Sequence, residues 1–301
     1  MKLLITGSSG FVGWNAARYF ANHGDSVVGT FHTFPHYLHH DNGAVAVRLD
    51  LADRTEVRKI IRRFQPTHIF HFAALARPQL GHTPQQLFSV NVQGTETLAQ
   101  AAESRGIPLL YLSTDLVLPS SLAPLDESVT PNPPEHSFYA QSKLQAEQVL
   151  QQSGGRWAII RPSVMFGDGT SHTNSFTQFI DSCWARNEPA PLFTDQFRSF
   201  LFVEDLFTAI EAIVRTESWG RMFHCGGPEC LSRAQFGLAW ADACGVPHRL
   251  CELMEAHQKP GYVGGESHIQ LDCRALRSLG WEPRSITDGF EQILRRREKS
   301  R

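Results

Sequence analysis

No run of apolar residues in this chain approaches the roughly 18 that a membrane-spanning helix needs. The opening Met1-Lys2-Leu3-Leu4-Ile5-Thr6-Gly7 is too brief for a secretion signal, because a glycine-rich turn interrupts it at once. A cytoplasmic location away from any membrane is therefore expected. An excess of one charge is missing too. Charged residues make up 19% and the formal net charge is −2, so no nucleic-acid or anionic-lipid partner is expected. The densest cationic stretch, Arg295-Arg296-Arg297-Glu298-Lys299, reads as the solvated end of a helix, where cations oppose the macrodipole. Cysteine is sparse. Cys183, Cys225, Cys230, Cys244, Cys251 and Cys273 show no CxxC spacing, which fits free thiols in a reducing compartment and is not a zinc signature. His32, His36, His39 and His40 sit in a His- and Pro-rich loop with no carboxylate before Asp41, so no metal is expected there. Internal repeats and low-complexity blocks are absent.

What is present is a chain of 301 residues, 42% of them hydrophobic, enough to bury a large core. Strand and helix patterns alternate through its first half, which predicts a doubly wound parallel α/β sheet. The strands are expected at 2–6, 26–30, 45–51, 67–72, 108–113 and 157–161. The helices between them are expected at 10–23, 53–64, 84–105 and 137–152. The later pattern is less regular, with helices near 174–187, 203–216, 232–244 and 285–297. Short strands are expected near 191–193, 199–202, 222–225 and 249–251. This reading divides the chain into a dinucleotide-binding part over 1–165 and a smaller substrate-binding lobe over 166–301, with late segments free to rejoin the sheet.

The first strand leads into Thr6-Gly7-Ser8-Ser9-Gly10-Phe11-Val12-Gly13 and then the first helix. Glycines at 7, 10 and 13 allow a tight turn, close approach of backbone N–H groups to a pyrophosphate, and close helix–strand packing. The helix N-terminus adds unpaired donors and partial positive charge. The end of the second strand discriminates the cofactor. An acid there favours NAD, and basic or neutral groups accommodate the extra phosphate of NADP. The segment Gly29-Thr30-Phe31-His32-Thr33 contains no acid and no arginine. NADP(H) is favoured, NAD(H) stays open, and His32 or His36 is a candidate phosphate contact.

Tyr139-Ala140-Gln141-Ser142-Lys143 opens the helix before the 157–161 strand. Residues four apart share a helix face. A lysine charge beside a phenol is expected to favour the phenolate, bringing the group toward useful acid–base range. Ser113-Thr114, at the end of the 108–113 strand, offers a hydroxyl to a substrate oxygen.

Together, Gly7/Gly10/Gly13, Asp50-Leu51, Phe72-Ala73-Ala74, Asn91, Ser113-Thr114-Asp115, Tyr139/Lys143 and Arg161-Pro162 resemble, in this order, the extended short-chain dehydrogenases/reductases, which implies a Rossmann fold. Within that superfamily the chain looks most like the dTDP-4-dehydrorhamnose reductase branch. Asp195-Gln196-Phe197-Arg198, Val203-Glu204-Asp205-Leu206 and Leu271-Asp272-Cys273 support that placement. The resemblance implies reduction of the 4-keto group of a nucleotide-linked deoxy sugar. Tyr139 would protonate the carbonyl oxygen, Lys143 would hold the nicotinamide ribose, and Thr114 would orient the oxygen. Gly7, Ser9, Gly10, Phe11, Val12, Gly13, Thr30, His32, Asp50, Leu51, Phe72, Ala73, Ala74, Asn91, Ser113, Pro162 and Ser163 would line the cofactor site. Arg77, Asp115, Asn174, Phe176 and Arg198 would meet the substrate, Arg198 through a fork suited to a diphosphate. A homodimer is a superfamily expectation.

The chain departs from the branch where Leu116 and Leu118 replace the aromatic residues of its Thr-Asp-Tyr-Val-Phe run. Leu116 also stands where the sugar dehydratases place a glutamate, which argues against water elimination. Nucleotide-sugar epimerisation uses the same Tyr–Lys pair and is one alternative. A non-catalytic NADP-binding regulatory subunit is the other. His71 and the His224-Cys225 pair are read as packed strand residues, Asp205 as a helix-start acid, and Asn91 as equally a tie between helix and loop.

Overall fold

The computed structural model describes residues 1–33, 44–76, 81–170, 172–173, 175–262 and 267–299. His36, His39, His40, Arg77 and Asn174 lie outside the described residues. Within them no helix is long and apolar enough to cross a membrane.

The first half alternates as the sequence pattern predicts. Strand β1 (Lys2–Thr6) leads to helix α1 (Phe11–Asn22), then β2 (Ser26–Phe31), β3 (Val45–Arg48), α2 (Arg54–Phe64) and β4 (His68–His71). After α3 (Pro84–Leu87) and α4 (Gly94–Glu103) come β5 (Leu109–Leu112), α5 (Phe138–Gln152) and β6 (Trp157–Pro162). These six strands and Arg221–Cys225 form one seven-stranded sheet. Its order runs from the Arg221–Cys225 edge through β6, β5, β4, β1 and β2 to β3. Every pairing from β3 to β6 is parallel. The order reverses between β1 and β4, and ligands of open α/β sheets bind beyond the carboxyl ends of strands at such a point.

Alternating side chains give the sheet two apolar faces. Leu4, Val28, Ile69, Tyr111 and Ile159 pack with Val57 and Ile60 of α2, Leu98 of α4 and Leu150 of α5. On the opposite face Phe70 meets Phe20 of α1 at 5.2 Å between ring centroids, and Phe20 meets Phe207 at 5.9 Å. Strand Arg221–Cys225 shows how a late segment rejoins the sheet. His224 and Cys225 are fully buried within it.

The chain forms two compact units that do not follow from a single cut. One comprises Met1–Pro119, Thr130–Arg161 and Phe207–Phe223, and the other Ser120–Val129, Pro162–Leu206 and His224–Arg301. The second unit is built on phenylalanine. Phe236 lies 4.2 Å from Phe200, 5.2 Å from Phe166, 5.3 Å from Phe176 and 5.1 Å from Phe290, ring to ring. Three short strands, Cys230–Ser232, Gln196–Ser199 and Ser267–Ile269, make a mixed sheet with Gln196–Ser199 in the middle.

Several elements differ from the sequence expectation, among them the strand expected near 199–202, which is two strands, Gln196–Ser199 and Leu201–Phe202. The helix expected over 84–105 contains a π segment, Phe88–Gln93, between α3 and α4. Its cause is local: the Thr95 hydroxyl bonds back to the Asn91 carbonyl at 2.6 Å, a side-chain competitor for the helical ladder. The strand expected at 45–51 stops at Arg48, since Leu49 to Asp53 turn to start α2. The strand expected near 249–251 is shifted to Cys251–Met254, behind a 3-10 turn at His248–Leu250.

Truncating Phe236, which is fully buried, removes the ring that the other four share. Phe236→Ala is expected to cost about 3–5 kcal/mol, read as a lower urea midpoint. A change under about 1 kcal/mol would show that the cluster closes around the loss.

Candidate active site

The turn after β1 is dictated by space. Gly7 has φ +71°, and a Cβ there would sit 2.6 Å from the Ala73 Cα at the end of β4. A Cβ at Gly13 would lie 2.2 Å from the Gly7 carbonyl oxygen. No side chain larger than hydrogen fits either place. Gly10 is different: it is exposed, and its own N–H donates to the Gly7 carbonyl at 2.9 Å. Gly10 caps α1 without a side chain, so none satisfies the first helical N–H groups. Ser9, Phe11 and Val12 are half-buried around this N-terminus. The Ser8 N–H and hydroxyl both donate to the Thr30 carbonyl at 2.8 Å, which ties the turn to the end of β2.

An acid does stand near the end of β2. The His32 Nε2 lies 3.7 Å from an Asp50 carboxylate oxygen, and both side chains are partly exposed. The acid arrives from the segment after β3, which pairs with β2 along their length. A reading confined to the second strand misses it. Leu51, next to Asp50, is buried and blocks Gly94 of α4, where a Cβ would come within 3.0 Å of its own Cβ.

A buried chain of hydrogen bonds starts at the same turn. The Ala73 N–H donates to the Thr6 hydroxyl at 3.2 Å, and that oxygen is 2.7 Å from His71 Nδ1. His71 Nε2 is 2.9 Å from the Thr95 hydroxyl, which donates onward to the Asn91 carbonyl. These directions leave one consistent tautomer. Nε2 carries the proton and Nδ1 accepts from Thr6. Burial holds His71 down to about 3, and the Lys143 charge adds to the effect. Asn91 continues the chain. Its amide accepts from the Leu75 N–H at 2.8 Å and donates to the Leu75 carbonyl at 3.2 Å and to the Ser142 hydroxyl at 2.9 Å. Ser142 donates to the Tyr139 carbonyl at 2.7 Å. Phe72 and Ala74 flank Ala73, half-buried.

Helix α5 begins at Ser137, whose hydroxyl accepts the Ala140 N–H. Lys143 is buried, donates to the Leu112 carbonyl at 2.5 Å and lies 4.0 Å over the Tyr111 ring. Loss of water lowers Lys143 to about 7, and Glu147 opposes the drop. Tyr139 goes the other way from the sequence expectation. Its phenol is pushed up, first by burial and then by the Asp115 charge. The Lys143 ammonium, for its part, is bound to the Leu112 carbonyl and lies over the Tyr111 ring. In this arrangement Tyr139 is a phenol that keeps its proton. Thr114 accepts the Leu116 N–H at 3.2 Å and points its own hydroxyl to Asp115 at 3.5 Å. Ser113 donates to Glu147, and Arg161 grips the same carboxylate twice, at 3.0 and 2.6 Å.

The other unit holds the remaining residues named from sequence. Pro162 ends β6, and the N–H of buried Ser163 donates to the Cys225 carbonyl at 2.9 Å. Phe176 is buried in the phenylalanine cluster and stacks on Phe200 at 5.4 Å. Arg198 is buried, with Nη1 donating to the carbonyls of Phe197 at 2.7 Å and Ser267 at 3.2 Å. Sequence reasoning passed over Glu147, Ser142 and Thr95. Only Glu147 left a signal, four residues beyond Lys143 on the same helix face.

The family described as the RmlD substrate binding domain matches residues 1–298. The chain is 28% identical over 291 residues to the methionine adenosyltransferase 2 subunit beta of Xenopus laevis, covering 93% of this chain and 82% of that protein. It is 27% identical over 311 residues to the low-salt glycan biosynthesis protein Agl12 of Haloferax volcanii, covering 98% and 97%. A solved dTDP-4-dehydrorhamnose reductase of Bacillus anthracis, in complex with NADP, aligns with a TM-score of 0.81 at 19% identity, over 97% of this chain and 98% of that one. At that identity the structural likeness is one of fold.

The depressed His71 has a consequence for stability. The unfolded chain takes up a proton below about pH 6.5 that the folded imidazole refuses, so stability is full above that pH and falls below it. The slope is about 1.4 kcal/mol per pH unit for this group. His71→Gln is expected to show a shallower loss than wild type between about pH 6.5 and 4.5, measured by urea unfolding. Parallel pH profiles would mean that His71 takes no part in the acid response.

Proposed function

We propose that this chain, which belongs to the RmlD substrate binding domain family, is an NAD(P)-dependent reductase of the 4-keto group of a nucleotide-linked deoxy sugar. One observation carries the reading. Lys143 is fixed to the Leu112 carbonyl at the end of β5, two residues before Thr114, on the helix face that also bears Tyr139. The same unit holds the glycine turn at the switch between β1 and β4.

The turn fits a dinucleotide. Gly7 and Gly13 admit no side chain, exposed Gly10 leaves backbone accessible, and the N-terminus of α1 has no side-chain cap. The reduced nicotinamide supplies the hydride when bound. Tyr139 supplies the proton: a phenol held well above its ordinary range keeps that proton until a developing alkoxide draws it off. Thr114 offers a hydroxyl that accepts from Leu116 and points its proton to Asp115 at a long 3.5 Å, a weak contact that a substrate oxygen can replace as the acceptor. Lys143 brings an amine to the end of β5, on the helix face that bears Tyr139. His32 can meet the extra phosphate of NADP(H), the cofactor we favour, while Asp50 beside it is an acid able to meet a ribose hydroxyl. NAD(H) fits the same pair through Asp50.

A second reading is a cofactor-binding regulatory subunit. It is favoured by the likeness to the methionine adenosyltransferase 2 subunit beta across 93% of this chain, and by Leu116 and Leu118 in place of aromatic residues. Turnover separates the two. NADPH and NADH are offered with a panel of 4-keto nucleotide sugars, and oxidation is followed by the absorbance of the reduced nicotinamide. Tyr139→Phe is expected to bind cofactor as wild type does and to lose about 10²–10⁴-fold in kcat. Gly13→Ala is expected to lose cofactor binding itself. Full activity in Tyr139→Phe would overturn the proton assignment, and tight cofactor binding without oxidation by any sugar would favour an epimerase or the regulatory reading over a reductase.

A further inference from the structure

Tyr139, Lys143 and Glu147 stand four residues apart on α5 and form one stripe. Glu147 is 1% exposed and accepts from Ser113 and twice from Arg161, which is also 1% exposed. A buried ion pair is weak evidence for stability, because apolar residues of the same volume do as well or better. This pair is also incompletely satisfied: Arg161 Nη1 has no hydrogen-bond partner among the described residues. Packing alone therefore does not account for it.

The surroundings of Lys143 supply the missing reason. Its ammonium touches a carbonyl and an aromatic ring, neither of which carries a full negative charge. His71, facing it from β4, is held neutral by its depressed pKa. Tyr111 from β5 and Tyr139 from its own helix are pushed up and stay uncharged. Asp115 acts on Tyr139. Glu147 is the charge that opposes the desolvation of Lys143. The anchoring is also geometric. Lys143 holds the carbonyl of Leu112 and Glu147 holds the hydroxyl of the next residue, Ser113. Two successive helical turns are thus pinned to two successive residues of the strand end that leads to Thr114.

We infer that Glu147, gripped by Arg161 and Ser113, is a positioning residue that keeps the Lys143 ammonium charged and fixed beside the reacting groups. The inference rests on the reductase reading for its role in turnover, but its physical core is testable without turnover. The sequence has five lysines, Lys2, Lys59, Lys143, Lys259 and Lys299. A ¹³C-lysine NMR titration of the full chain resolves them, with Lys143→Arg assigning the signal. In Glu147→Gln the Lys143 midpoint is expected to fall by about one pH unit or more, a tenfold change in the proton equilibrium. The alkaline limb of kcat/KM is expected to move to lower pH by the same amount, and Glu147→Asp to restore part of both.

Glu147→Gln strands the Arg161 cation and can fail to fold. The paired variant Glu147→Gln/Arg161→Met removes both charges, and since it also removes the cation that offsets Glu147, a smaller fall in the same direction is expected. A Lys143 midpoint unchanged in a folded variant of either kind overturns the inference, whatever the activity. A shifted midpoint in a protein that reduces no keto sugar upholds the charge-holding role and rejects the reductase reading instead.

Discussion

Between the carboxyl ends of β1 and β4 there is no room for a side chain. The backbone of Gly7 faces that of Ala73 so closely that a methyl group would overlap it. That contact aligns Thr6 with the Ala73 N–H and the His71 ring, and from there hydrogen bonds run through Thr95, Asn91 and Ser142 to the carbonyl of Tyr139. Each member is buried or half-buried, so each bond lost would leave a polar group without water. The glycine turn and the start of α5 are therefore not independent features that happen to lie in one unit. They are two ends of one polar network, and the π segment at 88–93 is the local distortion that sets Asn91 in its middle.

Electrostatics in this unit is governed by loss of water rather than by close opposite charges. Burial drives Lys143 down to about 7, His71 to about 3 and both Tyr111 and Tyr139 upward. Uncharged forms prevail wherever no counter-charge is supplied. The one fully buried carboxylate beside Lys143, that of Glu147, thereby becomes decisive for the state of the lysine. The same logic accounts for His71. A residue that is reactive in isolation becomes a neutral connector once both ring nitrogens are engaged and water is excluded.

The glycine spacing, the Tyr139–Lys143 interval and the alternation of strand and helix are local patterns, and they carried the fold, the turn and the placing of a phenol and an amine on one helix. Side-chain period and excluded volume act over a few residues, so they are legible in a row of letters. Other relations were silent. Asp50 reaches His32 because β2 and β3 run side by side, and a strand's neighbour is not written in its own segment. The upward push on Tyr139 depends on how much water the packed unit removes and on the Asp115 charge, neither of which follows from residues four apart. Phe176 and Arg198, read as substrate contacts, prove to be engaged respectively with a phenylalanine cluster and with strand carbonyls.

What the sequence determined by itself is therefore the set of chemical parts: a side-chain-free turn after β1, a helix bearing a phenol and an amine, and a hydroxyl at the end of β5. Those follow from sterics and periodicity along the chain. What only the tertiary structure decided is the charge and direction of those parts. It placed Glu147 with Arg161 and Ser113, and it widened the 84–105 helix into a π segment around Asn91. It also drew Phe207–Phe223 back to the sheet unit while giving Ser120–Val129 to the other. Each of these depends on which surfaces meet and how much water they exclude, a property of the folded neighbourhood and not of any one segment.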